Sequence, residues 1–446
     1  MKHLIMSETA GSELEKLHST CKEWGFFPLV NHGVRSSLVL YDNQPYTYKE
    51  AYLLPELPSL LRDSLECYLA ELQKLAMMLL GFMAKALKLE KGEMEELFED
   101  GMQSVRITYY PPCPQPELVM GLTPHSDATG ITILLQINGV DGLQIKKDGV
   151  WIPVSFLPDA LVVNVGDVLE ILSNGVYTSI EHRATVNAAK ERISIAMFFN
   201  PKFSAQTKPA PSQINPQNPP LFKQVGMEKY FKDFFSRKLD GKSYLWFNRS
   251  LKLGQLTMAS TQFPSFRAAP VQSVQELIKE PIPAVPQPFI LDDPQSPILS
   301  ASTPLPLLPT IDMKHIIMSE TADAELEKLH STCKEWGFFQ LVNHGVSSSL
   351  VEKLKSEIGE FYKLPWEERI KYKMRPRDFE GYGLSPIRSE DQKLDWGDRF
   401  YMTTNPIHTR KPYLLPELPP SLRFCLIIII FFFFFFFFQL YICFLL

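Results

Sequence analysis

From residue 105 to residue 199 the chain is a succession of short apolar runs: VRITYY, TILLQI, GLQIKK, VWIPV, ALVVNV, DVLEIL, HRATVN and RISIAMFF. Turn-forming pairs separate many of them, among them Asn138-Gly139, Asp148-Gly149, Gly166-Asp167 and Asn174-Gly175. Strands this short and this close bury themselves by packing in two sheets or closing on themselves, so the segment reads as a β-sandwich or jelly roll. All eight runs are read as strands. Two pairs of residues and a lone histidine in this block have chemistry. Residues i and i+2 of a strand share a face, so His125 and Asp127 point at one spot, and His182 reaches it from a distant strand. Two imidazoles and a carboxylate on one face of a metal leave its other positions open, the donor set of a non-haem Fe(II) centre. Arg192 and Ser194 repeat the spacing. A guanidinium holds a carboxylate through paired charge-assisted hydrogen bonds, and the adjacent hydroxyl adds one more. That pair suits the far carboxylate of a dicarboxylic keto acid whose other end chelates the metal.

The second constraint is a repeat. Residues 1–34 recur at 313–346 with four differences: Leu4/Ile316, Gly11/Asp323, Ser12/Ala324 and Pro28/Gln340. The copies part after a shared SSLV and rejoin at YLLPELP, which begins at Tyr52 and again at Tyr413. Between these points the second copy has residues 351–412, whereas the first has only the connector 41–51. The second copy in turn leaves the pattern after Arg423, where the first continues into the His-x-Asp block. Neither copy is whole.

The rest of the chain is helical or loop-like. Leu14, Leu17, Cys21 and Trp24 form one helical stripe, and residues 26–31 read as a buried strand ending at His32-Gly33. His32 is read as a strand-end histidine satisfied by backbone. Leu61, Leu65, Leu69, Leu72, Leu75, Leu79 and Met83 place a long helix over 59–89, and a short acidic helix follows over 92–100. A Pro-rich loop over 208–220 precedes a helical segment at 221–239.

YYPPCPQPELVMGLTPHSDATGITILLQ, GLQIKKDGVWIPV, NVGDVLEIL, SIEHRATVN, ERISIAMFFNP and FSRKLDGKSYL together resemble the plant 2-oxoglutarate- and Fe(II)-dependent dioxygenases, in particular the senescence-related, codeine O-demethylase-like group. The resemblance covers about 59–245 for the family's C-terminal half and 258–423 for its N-terminal half. It implies a mainly β fold with flanking helices (α+β) around a double-stranded β-helix, the cupin-like jelly roll. It implies iron on His125, Asp127 and His182, and 2-oxoglutarate on Arg192, Ser194 and Tyr110, with Thr108 where many members have Asn. The cofactor set is Fe(II), 2-oxoglutarate and O2, with ascorbate as reductant. The implied activity is hydroxylation or O-demethylation of a small plant specialised metabolite.

The segments that flank the pocket in the family, FYKLPWEERIKY, FEGYG and LDWGDRFY, stand here only in the second copy, within residues 361–401. The resulting division is 1–58, a truncated N-terminal segment; 59–100, helical; 101–201, the jelly-roll domain; 202–257, a C-terminal helix and junction; 258–423, a second N-terminal domain without a catalytic core; and 424–446, a hydrophobic tail. Two readings follow. The chain is a fusion of neighbouring duplicated units with pieces missing, or 258–423 folds back to complete the enzyme in permuted order.

Composition narrows the function. Apolar content of 45% and charged content of 21% are those of a globular protein, and a net charge of −5 argues against a nucleic-acid partner. Six scattered cysteines without C-x-x-C pairs, and no signal-peptide pattern after Met1, point to a cytoplasmic protein with reduced thiols. A small-molecule substrate and no obligate protein partner are expected. Membrane contact enters only through the tail, 23 uncharged residues with eight consecutive phenylalanines at 431–438. The alternatives left open are an oxidase of the aminocyclopropane-carboxylate type, which shares the motifs but not the keto acid, and an impaired metal-binding relic.

Overall fold

The computed structural model describes residues 59–235, 241–242, 245, 249, 273–292, 306–318, 322–375, 378–386 and 392–414. The helix and strand read into the first copy, His32, the junction near Met258 and the 424–446 tail lie outside the described residues. In chain order the upstream elements are α1 (Ser59–Ala86), α2 (Glu95–Phe98), β1 (Gln103–Tyr110), β2 (Leu122–His125), β3 (Ile131–Gln136), β4 (Leu143–Lys147) and β5 (Val150–Pro153). There follow β6 (Leu161–Val165), α3 (Asp167–Leu172), β7 (His182–Ala184), β8 (Arg192–Phe199), β9 (Gln206–Thr207), β10 (Val225–Gly226) and α4 (Met227–Phe235). The downstream part supplies α5 (Val274–Leu277), β11 (Thr310–Asp312), α6 (Met313–Met318), α7 (Ala322–Glu335), β12 (Phe338–Val342), α8 (Ser348–Lys363), α9 (Trp366–Arg369), β13 (Gly381–Gly383) and β14 (Asp398–Asn405).

The strands form a large sheet, β11-β12-β6-β3-β8-β1-β14-β13, a smaller one, β2-β7-β4-β5, and the two-stranded ribbon β9-β10. The expected jelly-roll pattern is there, with both faces of the central strands buried: β6 is covered along its whole length, as is most of β1, β3 and β8. The helices cover the large sheet. The stripe Leu61, Leu65, Leu69, Leu72, Leu75, Leu79 and Met83 of α1 is buried, and α1 packs against α7 and α8. Residues 61–86 are long and apolar enough to cross a membrane, yet this stripe lies in the protein core.

The downstream part shares a sheet with the upstream part, as the reading in which 258–423 folds back expects. β14 pairs antiparallel with β1 along its length, from Gln103–Asn405 to Tyr109–Asp398. On the far side β12 pairs with β6, and β11 runs parallel to β12. The second copy therefore supplies strands near both ends of the large sheet, and all described elements fall in one compact unit. Local chemistry explains the fit. Gly337 sits at φ +59°, and a Cβ there would stand 2.0 Å from the carbonyl of Thr178, so the turn into β12 admits only glycine. Gln340 donates its backbone N–H to Pro309, accepts from Leu157 N at 2.7 Å and donates to Ser155 O at 3.2 Å.

Two secondary-structure readings change. DVLEIL is helix α3, not a strand. Its six residues are all buried, so it lacks the polar face by which a helix is recognised. Its leading N–H groups are satisfied by a neighbouring loop: Asp167 donates to Asp127 O and Val168 to Thr129 O. The helix read over 221–239 begins at Met227, because residues 225–226 instead pair with 206–207; residues 236–240 lie outside the described residues.

Candidate active site

The small sheet brings the metal-ligating candidates together. β2 and β7 are antiparallel with His125 directly opposite His182, and the rings stand 4.3 Å apart at 50°. Asp127 lies just past the end of β2, so the turn rather than strand pleating turns its carboxylate inward. Its Oδ1 is 3.4 Å from His125 Nε2 and 3.6 Å from His182 Nε2. One donor atom from each residue falls within 4.8 Å of the others, and all three residues are buried. No ligand of this kind is left to orient itself. His125 Nδ1 donates to Thr123 O (2.8 Å) and His182 Nδ1 to Ile180 O (3.1 Å), which leaves both Nε2 lone pairs facing inward. Asp127 Oδ2 accepts from Thr132 Oγ1 at 2.6 Å and Asn164 Nδ2 at 2.8 Å, leaving Oδ1 as the free donor atom.

Electrostatics favours the ligating protonation states. Burial and the neighbouring His125 push His182 down to about 4 against the pull of Asp127, so its imidazole is neutral near pH 7. Burial raises the Asp127 carboxyl, but His182, His125 and the Thr132 hydroxyl outweigh it and hold the group well below the usual carboxylate range.

The candidate keto-acid residues occupy two alternate rungs of the β1–β8 ladder, where Tyr110 faces Arg192 and Thr108 faces Ser194. Arg192 is 2% exposed. Its Nη1 donates to Ser194 Oγ at 3.3 Å and its guanidinium lies 5.2 Å from the centre of the Tyr110 ring. Burial pulls its basicity down, against the opposing influence of Tyr110 and Asp141. Its Nε is buried without a hydrogen-bond partner, and Arg192 forms no ion pair among the described residues. A buried guanidinium left this way is costly, and a carboxylate completes it. Gly142 keeps the approach clear, since a Cβ there would meet Arg192 Cδ at 2.8 Å. These residues and the triad share a narrow cavity of about 60 Å³.

A larger cavity, about 350 Å³, opens on the other side of His125 and Asp127. Its wall carries a ladder of rings: Phe231 to Phe235 (6.1 Å), Phe235 to Phe379 (5.0 Å), Phe379 to Tyr401 (5.8 Å) and Tyr401 to Phe198 (6.4 Å). Phe379 and Tyr401 come from the downstream part. So do the supports of both histidines. Asp395 Oδ1 accepts from Thr123 N (2.9 Å) and Oγ1 (2.7 Å), fixing the residue whose carbonyl holds His125. Phe338 packs edge-on against His182 at 5.2 Å.

All seven candidate residues are thus gathered around one pair of cavities. Sequence reasoning singled out none of Thr132, Asn164, Asp395 or the aromatic side chains as site residues, although Phe379, Asp395 and Tyr401 stand in FEGYG and LDWGDRFY, the segments that the resemblance puts beside the pocket. Asn164 carried a readable signal, an amide inside the apolar run ALVVNV; the contacts that Asp395 and Phe379 make with the upstream part, to Thr123 and Phe235, have no local signature, because they span more than 140 residues.

A buried His-Asp-His set beside an anion-receptive arginine on a jelly roll defines a non-haem iron oxygenase. Family comparison agrees: the 2OG-Fe(II) oxygenase superfamily matches residues 101–201, and the non-haem dioxygenase in morphine synthesis N-terminal region matches 308–421. The region called N-terminal in that family therefore follows the catalytic region in this chain. Flavonoid 7-O-demethylase 1 of Ocimum basilicum, which is oxoglutarate-dependent, is 44% identical over 294 residues, 55% of this chain and 79% of the relative. Codeine O-demethylase of Papaver somniferum is 45% identical over 289 residues, 53% and 80%. Among solved structures, JOX2 in complex with 2OG, Fe and JA is 32% identical and covers 54% of this chain and 86% of that one, with a TM-score of 0.42. The chain belongs to the 2OG-Fe(II) oxygenase superfamily. It is an oxidoreductase of the plant 2-oxoglutarate-dependent dioxygenase type, acting on a small molecule with Fe(II), 2-oxoglutarate and O2.

Proposed function

We propose that this dioxygenase hydroxylates or O-demethylates a small aromatic plant metabolite, with iron on His125, Asp127 and His182 and 2-oxoglutarate on Arg192, Ser194, Tyr110 and Thr108. The observation that carries the reading is the buried, incompletely partnered Arg192, two residues from Ser194 on β8, beside a pre-oriented His-Asp-His set. The donor set fits Fe(II): two neutral imidazoles and one carboxylate with open positions. Bound there, the metal supplies O2 activation coupled to oxidative decarboxylation of the keto acid to succinate and CO2.

The chain's own residues do the rest. Arg192 and Ser194 fix the distal carboxylate of the keto acid, so only one orientation presents its other end to the triad. Thr132 and Asn164 hold the Asp127 carboxylate with one oxygen forward. The aromatic ladder stacks a planar substrate in the 350 Å³ cavity and excludes water from the reacting carbon. O-demethylases among the relatives support a methoxy carbon as one target. The described cysteines Cys67, Cys113 and Cys333 are free, which supports the reducing cytoplasm as the compartment. The test is succinate release from 2-oxoglutarate, with Arg192→Met raising the half-saturating keto-acid concentration at least tenfold, about 1.4 kcal/mol. Unchanged saturation in that variant, or oxidation that consumes no keto acid, contradicts the reading.

A further inference from the structure

Two buried carboxylates of α3 have no part in the chemistry above: Asp167 and Glu170, 0% and 3% exposed. A carboxylate is costly to bury unless its oxygens are taken up by donors, so the donors show what each group holds. The two stand three residues apart, on one side of the helix. Asp167 Oδ2 accepts from Ser126 Oγ at 3.1 Å, and Ser126 lies between His125 and Asp127. Glu170 Oε2 accepts from Ser179 N at 2.6 Å, three residues before His182, and from Lys242 Nζ at 2.8 Å. Arg249 Nη2 stands 3.9 Å from Glu170 Oε1. Gly241, beside Lys242, bridges to His125: its carbonyl accepts from Ser126 N at 3.2 Å and its N–H donates to Pro124 O at 3.1 Å. One carboxylate oxygen therefore ties the segment that enters β7 to the segment that runs along His125. The β2–β7 ladder is irregular between Leu122 and His125, so strand pairing alone does not fix how far apart the two histidines stand.

We propose that Glu170 and Lys242 are positioning residues of the metal site, a buried ion pair that sets the separation of the two histidine-bearing segments from behind. The inference rests on the reading of His125, Asp127 and His182 as metal ligands. Neither residue of the pair touches the metal. A constellation of this kind works only while its members stay within about 0.5 Å of the productive geometry. Without the pair, residues 241–242 keep their bonds to Pro124 and Ser126 but lose their hold on α3 and Ser179. The backing of His125 is then no longer tied to that of His182. The chain beyond α4 thus contributes to the metal site through the Gly241 backbone and one ammonium.

The experiment is calorimetric Mn(II) titration of the full chain, with the visible absorption bands of the Co(II)-loaded protein as a reading of coordination geometry. It compares the parent with Lys242→Met, with Lys242→Arg, with the charge-free combination of Lys242→Met and Glu170→Gln, and with Leu354→Ala, a core change on α8. Lys242→Met weakens Mn(II) binding by about tenfold and shifts the Co(II) bands. The charge-free combination does the same while leaving no unpaired buried carboxylate at position 170, and Lys242→Arg keeps most of the affinity. Leu354→Ala lowers the melting temperature and leaves the affinity and the bands unchanged. A merely structural ion pair gives a different pattern. The charge-free combination then binds Mn(II) within about twofold of the parent with unshifted bands, or Leu354→Ala weakens binding as much as Lys242→Met does. Either result overturns the proposal. Failure of the parent to bind Mn(II) overturns the assignment of the ligands instead.

Discussion

Asn164→Ala tests whether the metal site is built by its supports as well as its ligands. Asn164 of β6 and Thr132 of β3 are directly paired across the ladder, and both donate to the same oxygen, Asp127 Oδ2, at 2.8 and 2.6 Å. Together they pin the carboxylate so that Oδ1 alone faces His125 and His182. A hydrogen bond to a charged group contributes about 1.5–3 kcal/mol, and loss of such an outer partner costs roughly 10–100-fold in metal affinity. Asn164→Ala is therefore expected to weaken metal binding about tenfold or more, and Thr132→Val with Asn164→Ala further, though less than additively because both bonds serve one oxygen. Mn(II) titration by calorimetry reads the affinity, and circular dichroism melting of the metal-free protein controls for folding. A folded double variant that binds Mn(II) as tightly as the parent would refute the claim that these residues orient the ligand.

Other outcomes follow from the same geometry. His182 has its proton affinity lowered from 6.5 to about 4 on folding, so between those values the unfolded chain binds more protons. The metal-free protein should lose stability as pH falls through that window, by up to about 3 kcal/mol, and His182→Gln should flatten the dependence in a melting series from pH 7 to pH 4. Gln340→Pro, which places the first copy's Pro28 residue in the second copy, removes the N–H to Pro309 and the side-chain bonds to Leu157 and Ser155. A loss of about 3 kcal/mol or more is expected by denaturant titration, and an unchanged midpoint would mean that β12 does not depend on these bonds.

The chemistry of the site was legible in the sequence because it is local. His125 and Asp127 are two apart, Arg192 and Ser194 are two apart, and short strands leave few ways for such pairs to point. The turn signals placed most strands for the same reason. What was not legible was long-range or uniform. DVLEIL shows no period because every one of its residues is buried. The pairing of Ile107 with Phe400 across nearly 300 residues has no local signature, so the sequence left open whether the downstream half was a leftover or a working part. Proline at the Gln340 position, the residue that the first copy has as Pro28, withdraws the N–H that the Pro309 carbonyl accepts.

The central claim is that residues 306–414 complete the oxygenase, through Asp395 behind Thr123 and His125, Phe338 against His182, and Phe379 and Tyr401 in the substrate wall. The measurement that tests it most directly is Fe(II)-dependent succinate formation from 2-oxoglutarate under air, by the full chain and by a version ending at residue 257. The account expects turnover from the full chain and none from the shortened one. Equal turnover from both would show that the upstream part suffices alone and that the shared sheet has no part in activity.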